Sequence, residues 1–146
     1  MEASSEQRNV ELTRLGFEAY YAGDYEALAR LLHTDVELHA DGELINGGDY
    51  RGHEGFMRWN SEWTEAWEQF RIEPRSVEAI GGRYVVTDTH QVARGAGSGI
   101  EVEMDVFWVF EVGDGRVLRM HLYPSRDRAD AAIERWRSER QARGGT

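Results

Sequence analysis

Apolar and polar positions at the start of the chain recur with a helical period. In VELTRLGFEAYYAGDYEALARLLH, residues 10–33, Val10, Phe17 and Tyr21 fall on one face of a helix, and the face is broad enough to be buried. Gly23 is a typical helix-ending residue, and Asp24 is a typical residue to cap the next helix. The pattern predicts two consecutive helices at the start of the chain.

The period then changes from helical to alternating. In DVELHADG, residues 35–42, apolar side chains alternate with polar ones, which predicts a strand with one buried and one solvated face. The buried set is Val36, Leu38 and Ala40, and the solvated set is Asp35, Glu37, His39 and Asp41. The strand therefore turns His39 and the acidic residues Asp35, Glu37 and Asp41 towards solvent.

A third helix is predicted over residues 52–70 by an aromatic stripe. Its members recur at steps of three and four: Phe56, Trp59, Trp63, Trp67 and Phe70. Such a stripe is usually core, since aromatic side chains bury large areas, but part of it is also suited to line a pocket for a flat apolar ligand.

The rest of the chain is predicted to form mainly strands, followed by a charged tail. The strands are predicted over residues 70–80, 83–94, 99–112 and 116–123, and GDG at 113–115 predicts a tight hairpin between the last two. From about residue 127 the tail is predicted to be a short helix that frays near RGGT. Helices followed by antiparallel strands predict an α+β fold, with the helices covering one face of a curved sheet.

The strand at 99–112 has two clearly different faces. Its even positions, including Val106, Trp108 and Phe110, are apolar and are expected to point inward, together with Met120 and Leu122 of its hairpin partner. Most of its odd positions are charged, but Phe107 and Val109 on this outer face are apolar and have to be shielded from water. The simplest cover is a second subunit, so we expect a homodimer through the outer sheet face.

The strand at 83–94 has no purely apolar face. One face carries Thr89 and Gln91, and the other carries Asp88 and His90. Whichever face is inward brings polar groups into the core, and a cavity with a ligand is one way to give them partners. The sequence leaves open whether His90 or the pair Thr89 and Gln91 faces the interior.

Composition and charge narrow the possible functions. The 146 residues are predicted to form one domain, 1–146, large enough to enclose a cavity. A formal charge of −10 argues against nucleic acid and anionic membranes as partners. There is no cysteine for a thiolate or disulfide, and all 17 basic residues are Arg, which excludes Schiff-base chemistry on lysine. With no signal-like start, we expect a soluble, cytoplasmic protein.

No metal or cofactor site is expected. The candidate metal ligands have spacings that match no standard motif, and strand alternation turns one of them to solvent. They are His33, His39, Asp41, His53 and Glu54. His53 and Glu54 are better explained as the start of the third helix.

The order of these segments resembles the SnoaL-like members of the NTF2-like superfamily. The resemblance rests on AYYAGDYEALARLLHTDVELH, YRGHEGFMRW and VFEVGDGRVLRMHLYPSRDRADAA, and it covers nearly the whole chain. It implies a cone-shaped α+β fold, in which N-terminal helices pack on a strongly curved, mostly antiparallel sheet and enclose an apolar pocket. It also implies a dimer formed through the sheet.

The catalytic patterns that the resemblance implies are not retained. A ketosteroid isomerase would have a Tyr where Gly16 stands, and Asp residues near Ala40 and Val106; a one-residue shift would offer Asp41 or Asp105 instead. The Arg-x-Asp pattern of limonene epoxide hydrolases is also missing. The fold alone therefore does not assign a reaction.

Two hypotheses follow for the function. The first is an apolar cavity for a polycyclic or terpenoid-like molecule, with isomerase, cyclase or hydrolase-like chemistry that uses His90 or Asp41 as the base. The alternative is a non-catalytic domain for ligand binding, dimerisation or protein interaction. An ionisable group inside the cavity would favour the enzyme, and its absence the alternative. The expected lining is Tyr20, Trp59, Trp63, Thr89, Gln91, Val106, Trp108, Phe110, Met120 and Leu122.

Overall fold

The computed structural model describes residues 4–44 and 47–144, which form four helices and six strands. The helices are α1 (Ser5–Ala22), α2 (Tyr25–Leu31), α3 (Gly52–Ala66) and α4 (Arg126–Gly144). The strands are β1 (Leu32–Ala40), β2 (Gly48–Arg51), β3 (Trp67–Ile80), β4 (Tyr84–Gly95), β5 (Glu101–Gly113) and β6 (Arg116–Tyr123). The predicted α+β class is confirmed.

The ends of the first two helices follow from local sequence. Ser4 and Gln7 form a reciprocal capping box, in which each side chain accepts a hydrogen bond from the other residue's backbone N–H, at 3.1 and 2.9 Å. Gly23 ends α1 with a φ of 69°, a left-handed conformation that glycine adopts without strain. The Asp24 carboxylate then accepts from the Ala27 N–H and caps α2. The predicted helix break at 23–24 is confirmed.

The six strands form one curved, unclosed sheet in the order β2-β1-β6-β5-β4-β3. Strands β1 and β6 are parallel, and every other neighbouring pair is antiparallel. The hairpin between β5 and β6 turns through Asp114 and Gly115, which have φ values of 54° and 74°, as a two-residue hairpin loop requires. Helices α1, α2 and α3 contribute to the core on one face of this sheet.

Helix α3 ends earlier than the aromatic stripe predicts. The chain becomes extended at Trp67, so Trp67 and Phe70 lie on β3 and not on the predicted helix. They still pack with the helix, because the Trp63 ring lies 5.4 Å from Trp67 and 6.1 Å from Phe70 between centroids. The aromatic spacing continues across the boundary because both elements bury side chains in one cluster. The short strand β2 was not predicted.

The outer face of the sheet is covered by the C-terminal helix of the same chain. Helix α4 is 19 residues long, where a short, fraying helix was predicted; the last two residues of RGGT lie outside the described residues. It packs on Val109, which is completely buried, and Phe107 packs against the same cluster. The cover expected from a second subunit therefore comes from α4, and the homodimer stays a prediction. No helix within residues 4–44 and 47–144 is both long and apolar enough to cross a membrane.

A buried histidine lies at this interface. The Trp136 ring of α4 meets the His121 ring edge-on, with 4.7 Å between centroids. Nε2 of His121 lies 2.7 Å from the Glu37 carboxylate and Nδ1 lies 2.9 Å from the Tyr123 hydroxyl. Burial lowers the pKa of His121, and the hydrogen bond to Glu37 opposes that shift without cancelling it. The interface therefore favours a neutral imidazole.

We predict that stability falls as the pH drops below about 6.5, the ordinary pKa of histidine. The nearby His39 ring and Arg119 guanidinium also oppose protonation of His121. Because the folded-state pKa is the lower one, the unfolded chain takes up the proton first, and stability present above pH 6.5 is lost below it, with a slope of at most about 1.4 kcal/mol per pH unit. Urea unfolding between pH 5 and 7.5 measures this slope.

The histidine responsible can be identified by substitution. His121→Gln is expected to flatten the dependence in this pH window, because the variant has no imidazole to protonate at the interface. The control is His33→Gln, since the His33 ring contacts only the Asp35 N–H, at 3.0 Å, among the described hydrogen bonds. An unchanged slope in His121→Gln would contradict the assignment.

Candidate ligand cavity

Two small internal spaces lie between the sheet and the first three helices. The first, of about 50 Å³, is lined by α1, α2, Leu32 of β1, Phe56 of α3 and the inner faces of β5 and β6. The second, of about 20 Å³, is enclosed by the aromatic face of α3 and the inner faces of β1, β3, β4, β5 and β6. Both have almost entirely apolar walls.

Trp108 is the shared wall of the two spaces. Its side chain lines both, and its Nε1–H donates to Thr89 Oγ1 at 3.2 Å. Thr89 Oγ1–H in turn donates to the Val106 carbonyl at 2.8 Å. The ring also meets Phe17 and Trp59 edge-on, at centroid distances of 5.4 and 6.1 Å. One indole thus contributes to the walls of both spaces.

The residues expected to line a cavity are nearly all at these walls. Thr89 is completely buried but lines neither space. The first space is lined by Tyr20, Phe110 and Met120, the second by Trp59, Trp63, Gln91, Val106 and Leu122, and both by Trp108. The structure also settles the face of β4, since Thr89 and Gln91 are buried and His90 is not.

The polar groups near the spaces are few. The Tyr20 hydroxyl donates to Asn60 Oδ1 at 2.6 Å, and burial raises the pKa of Tyr20, so it stays a neutral phenol. Gln91 Nε2 lies 3.4 Å from Thr89 Oγ1. The Nε1–H of Trp59 is buried and has no hydrogen-bond partner in the described part of the chain. Trp59 is therefore an unused donor at the wall of the second space.

His90 lies on the outer face of the sheet, away from both spaces. Its Nδ1–H donates to Asp105 Oδ1 at 3.0 Å, and Arg75 bridges Asp105 and Asp88 at 2.8 Å each. The hydrogen bond from His90, followed by the Arg75 charge, lowers the pKa of Asp105. Alternation with Thr89 and Gln91 is the physical reason that His90 faces outward.

Asp41 also lies outside the two linings. Its carboxylate accepts from Arg128 of α4 at 3.1 Å and from the Glu43 N–H at 2.9 Å. Neither candidate base, Asp41 or His90, lines either of the two spaces.

The candidate metal ligands also have other contacts. His39 Nδ1 lies 2.6 Å from Asp49 Oδ1, and His53 Nε2–H donates to the Leu32 carbonyl at 2.9 Å. Within residues 4–44 and 47–144, no group of three or more His, Asp or Glu residues is arranged to hold a metal ion.

Gly16 is a cavity residue that the sequence pattern did not identify. It lines the first space, and a Cβ added there would meet nothing closer than Leu28 Cδ1 at 4.0 Å. In the sequence, Gly16 stands out only as the position where the isomerase resemblance implies a Tyr. A larger side chain at this position would point into the first space.

Comparison with known proteins decides the family. The model of the SnoaL-like domain matches residues 14–120. The chain belongs to the SnoaL-like family. Comparison with curated proteins finds no match. This SnoaL-like chain carries α4 beyond the matched segment, so the helix that covers its outer sheet face is not part of the family match.

Solved structures show the same NTF2-like fold. TerC, co-crystallized with polyporic acid, is 22% identical, with 87% of this chain and 98% of that chain covered and a TM-score of 0.71. An NTF2-like protein from Burkholderia xenovorans is 22% identical, with 87% and 96% covered and a TM-score of 0.71. A putative SnoaL-like polyketide cyclase from a Jannaschia species is 17% identical, with 84% and 89% covered and a TM-score of 0.72. At these identities, the SnoaL-like chain shares the fold.

Proposed function

We propose that this SnoaL-like protein binds one small, uncharged, apolar molecule in its interior, without a charged side chain in contact with the ligand. The lining of the two spaces carries the proposal: none of its described residues is Asp, Glu, His or Arg. Such a site favours burial of apolar area, and it offers no carboxylate or imidazole to move a proton. A binding protein is favoured over an isomerase or cyclase.

The unused donor at Trp59 specifies one further feature of the ligand. A buried N–H without a partner is unfavourable by about 1 to 3 kcal/mol. A ligand with a carbonyl or ether oxygen near Trp59 Nε1 would remove that cost. Tyr20 is less suited to this role, since its hydroxyl proton is held by Asn60. The ligand class is therefore an apolar molecule with one hydrogen-bond acceptor.

The proposed ligand is larger than either space, so its binding requires Trp108 to move. Both, at about 50 and 20 Å³, are well below the roughly 150 Å³ of an engineered cavity that holds benzene. Displacing the Trp108 indole would join them, and its polar contact to Thr89 is a single hydrogen bond. The structure of TerC with polyporic acid supports a small-molecule ligand within this fold.

The donor at Trp59 can be tested with a matched pair of ligands. Acetophenone and ethylbenzene have similar shapes, but only the ketone has an acceptor. By isothermal titration calorimetry, we expect both to bind, and the ketone to bind about 2 to 10 times more tightly because of one hydrogen bond. Trp59→Phe is expected to remove that preference while ethylbenzene binding changes little.

The location of the site is tested at Gly16. Gly16→Leu is expected to fill the first space and abolish binding, while Gly16→Ala serves as the control, because its Cβ fits without a close contact. Absence of binding by both ligands up to millimolar concentration would overturn the proposal. Binding that is unaffected by Gly16→Leu would place the ligand elsewhere.

A further inference from the structure

A surface groove distinct from the internal spaces lies between the β3–β4 turn and the last turns of α4. It has a volume of about 650 Å³, within the range of pockets that hold small ligands. None of its lining residues lines either internal space. Its charged lining residues are all arginines: Arg83, Arg137, Arg140 and Arg143. This is a concentration of positive charge on a chain whose formal charge is −10.

Two of these arginines have an acidic partner, and the other two have none among the described residues. Arg83 donates to Glu111 at 2.8 Å, but Glu111 is shared with Arg119. Arg137 donates to Glu134 of the same helix at 3.1 Å. No ion pair joins Arg140 or Arg143 to a residue in the ranges 4–44 and 47–144. The groove therefore keeps guanidinium groups available for an anion.

Tyr84 provides an independent observation at the same place. It lines the groove and is only 4% exposed, yet its hydroxyl has no hydrogen-bond partner among the described residues. The Arg137 guanidinium lies over its ring, with Cζ 5.8 Å from the centroid. A ligand oxygen that reaches past Arg137 would accept from this hydroxyl.

Stabilisation of the helix does not account for all of these features. A cation in the last turn favourably opposes the negative end of the helix dipole, which explains Arg143. It does not explain Arg140, which lies before the last turn, nor the Tyr84 hydroxyl, which has no partner among the described residues. Arg83, in the β3–β4 turn, adds a further positive charge to the groove although it donates to Glu111. An anionic ligand gives Arg140, Arg143 and the Tyr84 hydroxyl a partner.

We propose that this groove binds a small soluble molecule bearing two or more phosphate groups. Guanidinium groups bind phosphate oxygens through paired N–H donors, and several of them spaced around one groove match several phosphates. An extended anionic surface is a poorer fit, because the rest of this acidic chain would be repelled by it.

Tripolyphosphate is the probe for this site. By isothermal titration calorimetry on the whole chain at low salt, we expect saturable binding of one equivalent, with orthophosphate binding about tenfold or more weakly because it spans fewer arginines. Arg140→Gln with Arg143→Gln is expected to weaken tripolyphosphate binding about tenfold or more. The charge-matched control is Arg30→Gln with Arg71→Gln, two exposed arginines elsewhere on the chain, which should change binding less than twofold.

Two results would overturn the proposal. One is equal weakening of tripolyphosphate binding in both double variants, and the other is no binding of tripolyphosphate at millimolar concentration. Tyr84→Phe is expected to weaken binding while leaving the fold intact, and unchanged affinity would remove Tyr84 from the site. Sedimentation with phosphatidylglycerol vesicles is expected to show no binding; capture by the vesicles without binding of tripolyphosphate would instead indicate a lipid surface. Acetophenone and ethylbenzene test a separate site, the internal spaces, so failure of one proposal can be told from failure of the other.

Discussion

Replacing Trp108 by alanine is expected to lower the free energy of unfolding by about 3 to 5 kcal/mol, the usual cost of removing a large buried aromatic side chain. The residue is 5% exposed, and its side chain lines both internal spaces. Trp108→Ala also removes the donor to Thr89 Oγ1. The variant should therefore have one larger cavity in place of two small ones. Urea unfolding measures the loss of stability.

The larger cavity makes a second result measurable. Indole should bind Trp108→Ala and restore part of its stability, because a ligand that binds only the folded state stabilises it by mass action. Wild-type protein should gain much less from indole, since Trp108 already fills that volume. Ser138→Ala is the control, because Ser138 is exposed and its replacement opens no cavity. Equal stabilisation of both variants by indole would contradict the role of Trp108 as the shared wall.

Much of the interior could be predicted because one strand has an unambiguous pattern. The even positions of β5 are apolar from Val102 to Val112, and residues on the same face of neighbouring strands meet across the ladder. That pattern was enough to direct Val106, Trp108 and Phe110 inward, where the structure has them. The turn residues of the β5–β6 hairpin do not fix the matching positions of β6 by themselves, because the register shifts by one residue between Glu111 and Val112 and so pairs Phe110 with Met120.

The face of β4 could not be predicted in the same way. Both of its faces mix apolar and polar residues, so the alternation does not select one. In the structure, Thr89 pairs with Val106 and His90 pairs with Asp105, which places Thr89 inward. The sequence of the loop between β4 and β5 does not predict which residues of the two strands pair. A shift of one residue in this pairing would have exchanged the two faces of β4. The candidate base His90 depended on that register.

The role of the C-terminal segment was missed for a different reason. Its buried positions, Ala129, Ala132, Ile133 and Trp136, follow helical spacing, but they lie among many charged residues. Two alanines contribute little apolar area, so the stripe is weak in the sequence although it is well packed in the structure. The unexplained apolar residues of the outer sheet face, Phe107 and Val109, were the signal that some cover was needed.

Replacing Trp136 by alanine is the second change with a large expected effect. The side chain is 2% exposed and contacts the His121 ring, while the Arg119 guanidinium lies 4.4 Å from its ring centroid. We expect a loss of about 3 to 5 kcal/mol in the free energy of unfolding, because a large buried ring and a cation–π contact are both removed. Ser138→Ala, an exposed substitution in the same helix, should change stability by less than about 0.5 kcal/mol.

The same variant should also change the state of association. With α4 loosened, Val86, Val109 and Tyr123 become accessible on the outer sheet face, and an exposed apolar sheet surface favours contact with a second copy. Sedimentation velocity of Trp136→Ala over a range of concentrations should therefore show more dimer or larger species than the wild type, whereas Ser138→Ala should match the wild type. A Trp136→Ala protein with wild-type association would mean that α4 is not what keeps this face from a partner. In that case the dimer expected from the sequence would have to form through another surface.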